Sequence, residues 1–357
     1  MKSSSGKYFI GLDHVRAVAL IMVFTWHFIH IHNGHLAPPP IFPLSLLTEG
    51  HTGVAIFMVL SGYLFAKLLD GKNIIYISFI WNRFLRLAPL LLVVIIIVGF
   101  QKYFRGEDLF YYAKSIFAGI ITPTLPNGGW AITVEFHFYL MLPILLFLTN
   151  KWKYSLIFVL LIAIIIRIYL YQHFGTIQIL SYLTIIGRID QFLLGILAYQ
   201  FRRNISGRHF LVLCSLFMFA VFYWYFDSQG GFYMNQSYPS PSAIWIYMPT
   251  IEGVAYALAI AWYDSSFKHS TGKVSRFISL IGTYSYSIYL LHFFVVFELS
   301  SAIDRYIVDL SNINIAMLFS IFCFFLVMMP IGYLGYTFFE APFIKFRKRY
   351  IVSDKLN

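Results

Sequence analysis

NRFLRLAPLLLVVIIIVGF, residues 82–100, decides the fold. Arg83 and Arg86 stand one helical turn apart, and from Leu87 to Phe100 no side chain carries a charge or a hydrogen-bonding group. The run is too long for a buried strand of about four to eight residues. It approaches the roughly 20 apolar residues that cross a hydrocarbon core of about 30 Å. Outward from it the same pattern recurs along the whole chain. Of the 357 residues, 59% are hydrophobic and 11% charged, against about 25% charged in a soluble domain. Mean hydropathy is +0.74. The expected fold is therefore an all-α integral membrane protein, with the bilayer as part of its solvent.

About ten segments are long and apolar enough to span, at about residues 15–32, 52–70, 82–100, 131–149, 154–171, 177–200, 209–226, 243–263, 277–299 and 314–338. Basic residues sort onto alternate connections. Lys2 and Lys7 precede the first segment, and Lys67, Lys72, Arg83 and Arg86 surround the second turn. Lys151 and Lys153, then Arg202, Arg203 and Arg208, then Lys268, Lys273 and Arg276, and last Lys345, Arg347, Lys348 and Arg349 follow the even-numbered segments. By the positive-inside bias these connections and both termini face the cytoplasm. The net charge of +11 is thus spent on topology and gives no ground for a nucleic-acid partner. The apolar piece Tyr111–Ile121 is too short to span and reads as an interfacial or re-entrant helix. With no fixed-period repeat and no soluble stretch, residues 1–357 read as one membrane domain. The apolar run behind Lys2 and Lys7 lacks a small-residue cleavage site and reads as a retained span. Cys214 and Cys323 sit in apolar runs, and no Cys/His spacing indicates a metal site.

Ionisable residues inside spans are costly and point to chemistry. Arg16 and His27 are eleven residues apart, so they share a helix face at a separation of about 16 Å. Asp13 lies one turn before Arg16 on nearly the same stripe. Singly, a packed His or a snorkelling Arg is unremarkable; two on one stripe favour function. His30, His32 and His35 fall at or beyond the outer interface, without a carboxylate or Cys at ligand spacing. Arg83 and Arg86, expected at a helix start, suit phosphate groups, with lipid headgroups as the plainer reading. Glu135 has Tyr139 at i+4 on its own face and no local cation, so it needs a partner from another helix. Arg188 and Asp190 are two apart and each should pair across helices. Arg167, Glu252, His292 and Glu298 are further buried-polar candidates. Ser61 reads first as a small packing residue.

Together these segments resemble the membrane-bound acyltransferase family 3. GLDHVRAVALIMVFTWHF is similar to the family's Leu-Asp-x-x-Arg-Ala opening, with ten residues between the Arg and the His. HTGVAIFMVLSGYLFAKLL, NRFLRLAPL, WAITVEFHFYLMLPIL, GRIDQFLLGILA, YSYSIYLLH and FFEAPF resemble its later segments, in order and over nearly the whole chain. Departures are His14 for a frequent Gly, Met58 for Phe, Asn82 for an additional Arg, and Phe136–His137 for Glu-Gln. The last leaves Glu135 as the one carboxylate of its segment. The hydrolase-like extracytoplasmic domain of some members is not expected here, so the acceptor would be reached by the membrane domain or through a separate partner.

The resemblance implies transfer of an acyl group, acetyl by default, from cytoplasmic acyl-coenzyme A to a hydroxyl of an envelope carbohydrate or lipid-linked glycan. A bacterial inner (plasma) membrane is the implied location. No tightly bound cofactor and no metal are implied, the acyl-CoA being a substrate. Arg83 and Arg86 would hold the donor's phosphates and Arg16 would guide it. His27 would act as general base or as transient acyl carrier, two roles the sequence does not separate. Glu135 would orient His27 or the acceptor hydroxyl. Two other classes fit a multi-span chain with buried charges: a transporter or exporter of a small acylated metabolite, and an inert scaffold. Inverted halves would favour the transporter, and none is seen.

Overall fold

The computed structural model describes residues 9–30, 41–70, 72–152, 154–234 and 237–353. Lys2, Lys7, His32, His35 and Lys153 lie outside them. In chain order come α1 (Ile10–Ile29), α2 (Gly53–Leu69), β1 (Lys72–Ile74), α3 (Tyr76–Phe104), α4 (Leu109–Ala118), α5 (Trp130–Lys151), α6 (Ser155–Phe174), α7 (Gln178–Leu183), α8 (Ile185–Gln200), α9 (His209–Ser228) and α10 (Ile244–Ser266). They are followed by α11 (Lys273–Thr283), α12 (Ser285–Leu291), α13 (Val296–Tyr306), α14 (Ile313–Ile344) and β2 (Ile351–Ser353). The protein is an all-α integral membrane protein with two short strands added.

Among the described residues, α1, α2, α3, α5, α6, α9, α10 and α14 are each long and apolar enough to cross a bilayer. A ninth crossing comes from Lys273–Thr283 and Ser285–Phe294, bent by 48°. The segment expected at 177–200 breaks at Thr184, whose extended backbone separates α7 from α8 and whose hydroxyl accepts the Ile186 N–H at 3.3 Å. At about 1.5 Å per residue, the 16 residues of α8 reach about 24 Å, short of the core thickness without α7.

Contacts between the ends of the elements decide whether that broken segment counts as a crossing. Phe9, before α1, receives Lys67 Nζ over its ring at 4.3 Å, near the end of α2. Asp70 accepts from Tyr199 at the end of α8 (2.8 Å), and Asp264 at the end of α10 accepts from Lys67 at 2.6 Å. β2 pairs antiparallel with β1, Lys72 opposite Ser353 and Ile74 opposite Ile351. The first and last described segments therefore lie at one end of the bundle. Among the described residues that requires an even number of passes along the bundle, and α7–α8, which returns to this end at Tyr199, makes one of them. The described basic connections gather at this end, which we call the basic end.

Interior and periphery follow from burial. The apolar stretches of α1, α2 and α10 are 67%, 78% and 61% buried, while those of α3, α6 and α9 are 22%, 22% and 28% buried and face the lipid. Close approach at the centre uses glycine. A Cβ on Gly62 would collide with the Phe192 carbonyl, and one on Gly195 with the Val59 carbonyl, so α2 and α8 meet backbone to backbone. The packing role expected of Ser61 falls on its neighbour Gly62. The short helix expected at Tyr111–Ile121 is α4, capped by Asp108, which accepts from the backbone of Phe110 and Tyr111. It is tied to α3 by Tyr112, which donates to the Ile95 carbonyl at 2.8 Å.

Candidate active site

A cavity of about 90 Å³ opens between α1, α2, α3, α5 and α12. Beside Ser285, Tyr286 and Tyr289 of α12, its polar lining includes a set of six, Arg16, Ser61, Arg83, Arg86, Glu135 and Tyr139. These six come from four helices and were each singled out in the sequence. Helical spacing explains the wall that α2 supplies: Val54, Phe57, Met58, Ser61, Leu64 and Phe65 fall at i, i+3, i+4, i+7, i+10 and i+11 of one helix face, with Leu60 at its margin.

Glu135 is the centre of the polar network. Tyr139 donates to its Oε1 from one turn on, and Ser61 donates to the same oxygen at 3.4 Å. The cation it lacked locally comes from other helices, since Arg86 of α3 and Arg16 of α1 are both within electrostatic reach. Arg16 is also ion-paired with Asp13, which is 6% exposed. The guanidinium of Arg83 lies over the rings of Phe65 (5.1 Å), Phe79 (5.5 Å) and Tyr139 (5.9 Å), a weakly hydrated cation on aromatic faces. Its Nε is buried without a hydrogen-bond partner.

One expectation is corrected. Arg83 and Arg86 do not begin a helix: α3 starts at Tyr76, so they sit about two and three turns inside it. The helix-end field fades within the first turn. Any affinity for phosphate here belongs to the guanidiniums themselves.

His27 does not line this cavity and makes no hydrogen bond to Glu135. Its partner is His292, whose Nε2 is 3.3 Å from His27 Nδ1. Backbone carbonyls fix both tautomers, because a carbonyl only accepts. His27 Nδ1 lies 2.9 Å from the Val23 oxygen, and His292 Nδ1 lies 2.6 Å from the Tyr289 oxygen. Each Nδ1 therefore carries the proton. His292 Nε2 is left to share the His27 N–H, and His27 Nε2 keeps a free lone pair. Phe293 and Phe297 edge the His27 ring at 4.6 and 5.9 Å. Tyr289 links the two parts: it lines the cavity, and its ring is 5.9 Å from that of His292. His292 was a minor candidate in the sequence. Its signal was the YSYSIYLLH segment, which ends on it.

The remaining charges are tied up elsewhere. Asp190 is held by Arg167 through two bonds of 3.1 and 2.6 Å and by Thr250. Arg188 donates to Glu252 (3.2 Å), Gln191 (3.1 Å) and the Tyr182 carbonyl (2.8 Å). These bonds join α6, α8 and α10, as the two-residue spacing of Arg188 and Asp190 required. Glu298 is exposed, so its candidacy as a buried group fails. His30 bonds back to the Trp26 carbonyl. No group of three His, Cys, Asp or Glu at metal-binding distance occurs among the described residues.

A bundle with at least eight span-length apolar helices among the described residues, a cationic cavity toward one end and a histidine pair beyond it defines a polytopic membrane protein built around a buried polar site. The chain belongs to the acyltransferase 3 family, whose acyltransferase domain matches residues 9–337. It is similar to a Staphylococcus aureus (strain COL) protein named "Putative O-acetyltransferase", at 25% identity over 95% of this chain and 58% of that protein. It is also similar to the O-acetyltransferase OatA of Staphylococcus aureus (strain NCTC 8325), at 25% identity over 84% of this chain and 52% of the relative. The peptidoglycan O-acetyltransferase OatA of Listeria monocytogenes is 28% identical over 42% of this chain and 26% of its own length. The chain thus spans little more than half the length of the curated relatives that it matches most fully. No solved structure matches it.

Proposed function

We propose that this chain is a membrane O-acyltransferase that moves an acyl group, acetyl in the first instance, from acyl-coenzyme A to a hydroxyl of an envelope glycan. The observation that carries this reading is the pairing of the two parts of the site. A cavity with three guanidiniums opens beside a neutral histidine pair, and Arg16 and His27 on one face of α1 set the spacing at about 16 Å. Such a layout suits a donor with anionic phosphates at one end and a reactive thioester at the other, joined by a long uncharged arm. The cavity of about 90 Å³ is well below the roughly 300–1,000 Å³ of a site that takes a whole ligand. It fits a part of the donor only, the phosphates against its guanidiniums, with the arm continuing toward His27 and the rest of the nucleotide left at the basic end, which in this reading is cytoplasmic. By this sidedness the enzyme sits in the plasma membrane, with the acceptor on the opposite face.

In the transfer, the acceptor oxygen attacks the thioester carbonyl while His27 Nε2 takes the hydroxyl proton. The C–S bond breaks, and the thiolate of coenzyme A leaves and is protonated. His292, sharing the Nδ1 proton, holds the ring and stabilises the imidazolium that forms. His27 Nε2 is free to accept a proton and its ring is oriented from the other side, as a general base requires. Glu135 neutralises Arg16 and Arg86 and fixes Tyr139, rather than orienting His27.

The test uses the chain in lipid discs with acetyl-labelled coenzyme A and a crude envelope glycan fraction. Label should pass to the glycan, free coenzyme A should appear in equal amount, and His27→Ala should stop both. Wild type that neither binds nor consumes acyl-CoA of any chain length would end the enzyme reading and turn attention to transport.

A further inference from the structure

A segment from the far end of the chain runs beside the helix that carries the cavity's Arg83 and Arg86. Beyond α14 the polypeptide turns back along the start of α3. The Ile75 N–H donates to the Tyr350 carbonyl at 2.8 Å, and β2 then pairs with β1. Asn82 grips the backbone of Lys348 on both sides, donating to its carbonyl at 2.6 Å and accepting its N–H at 2.8 Å. Tyr350, 1% exposed, packs edge-on against Phe79 at 5.6 Å. Arg347 stands one residue before these anchors, within electrostatic range of both Arg83 and Arg86.

Three guanidiniums thus converge where two were expected. Nearby acid is scarce: Glu340 is bonded to Ser287, and Glu135 is engaged by Tyr139. The Nε atoms of Arg83 and Arg347 are both buried and unpaired. Burial, with the charges of Arg86 and Arg83, lowers the pKa of Arg347 to about 10. Chain segments far apart in sequence have been locked together to hold like charges close, and unpaired donors at such a place call for an anion with several acceptor oxygens.

We propose that Arg347 is the third arginine of a phosphate-binding site with Arg83 and Arg86, and that the β1–β2 clamp holds the C-terminal tail as part of that site. The proposal rests on the donor reading above for the identity of the ligand, a phosphorylated thioester carrier. The phosphate chemistry itself does not depend on that reading. Planar guanidiniums at fixed spacing recognise a pyrophosphate or phosphomonoester by paired N–H donors, which a lysine would not reproduce.

The experiment measures binding of coenzyme A, inorganic pyrophosphate and phosphate-free pantetheine to the full chain in lipid discs, across a salt series. Arg347→Ala should weaken coenzyme A and pyrophosphate about tenfold or more and flatten their salt dependence. Arg347→Lys should recover little of this. Asn82→Leu, which frees the tail without touching an arginine, should weaken both phosphate ligands in the same direction. If Arg83→Ala or Arg86→Ala weakens coenzyme A while Arg347→Ala and Asn82→Leu do not, the third-arginine proposal is overturned and the donor reading stands. If pyrophosphate binding depends on all three arginines but coenzyme A does not bind, the site stands and the donor reading falls. Indifference of pyrophosphate to Arg347→Ala would end the proposal even if coenzyme A binding fell, since that loss would not come from phosphate recognition.

Discussion

Two groups of buried charges share this bundle, and they are built differently. Between α6, α8 and α10, Arg167 and Asp190 form a two-bond pair with both side chains fully buried, and Arg188 spreads its donors over Glu252, Gln191 and a backbone carbonyl. In the cavity, three arginines face one carboxylate, open space remains, and an Arg83 donor has no partner. In apolar surroundings a network in which each arginine meets its own carboxylate is a bolt between helices, even with one donor, Arg188 Nη2, left without a partner. A cluster with more cations than carboxylates beside open space is poorly explained as architecture and well explained as a place for a ligand. Neither burial nor a single unpaired donor distinguishes the two; charge balance and open space do.

This contrast can be broken by experiment. The largest effect is expected from His27→Ala, which should lower turnover about 10²–10⁴-fold while thermal unfolding in detergent and the elution profile stay as in wild type. A variant that loses activity only because it unfolds would move His27 to the structural group. Next, Arg167→Leu should strand Asp190 and destabilise the protein by about 3–5 kcal/mol, with Arg167→Leu/Asp190→Leu regaining much of that. The readout is the unfolding midpoint, and an unperturbed single variant would show that the network is not a bolt. Arg86→Ala should be smaller and different in kind. It should raise the KM for acyl-CoA about 10–100-fold through lost charge-assisted bonds, with the unfolding midpoint held. A fall in stability with KM unchanged would erase the distinction between the clusters. The smallest effect is expected from Ser61→Ala, whose hydroxyl reaches Glu135 only at 3.4 Å. A change of about twofold in kcat/KM is expected, and a hundredfold loss would make Ser61 a participant in the chemistry.

Much of the site was legible because its residues violate local expectation. An Arg and a His on one face of an apolar helix, a Glu with no cation within a turn, and two arginines before a long apolar run are conspicuous in a chain with 11% charge. Arg16, Ser61, Arg83, Arg86, Glu135 and Tyr139 do meet in one cavity. His292 was underweighted, since a single His in a span has a plain packing role until its neighbour is known. Glu298 was overweighted, because its helix is half exposed. Arg347 was read as one more basic residue after the last span, and nothing local distinguishes it from Lys345 or Arg349.

The sequence by itself determined that the chain lives in a bilayer, roughly where it crosses, and on which alternate connections the basic residues fall. Those properties follow from hydropathy and charge summed over short windows, where one residue's neighbours in space are its neighbours in sequence. Only the tertiary structure decided that α3 begins before its arginines, that the expected sixth span breaks into α7 and α8, that His27 pairs with His292 rather than Glu135, and that the tail brings Arg347 back within electrostatic range of Arg83 and Arg86. Each of these depends on partners scores or hundreds of residues away, or on where a helix starts among uniformly apolar residues. Short-range periodicity carries no record of either, because the energy that settles them is in packing and hydrogen bonds between segments.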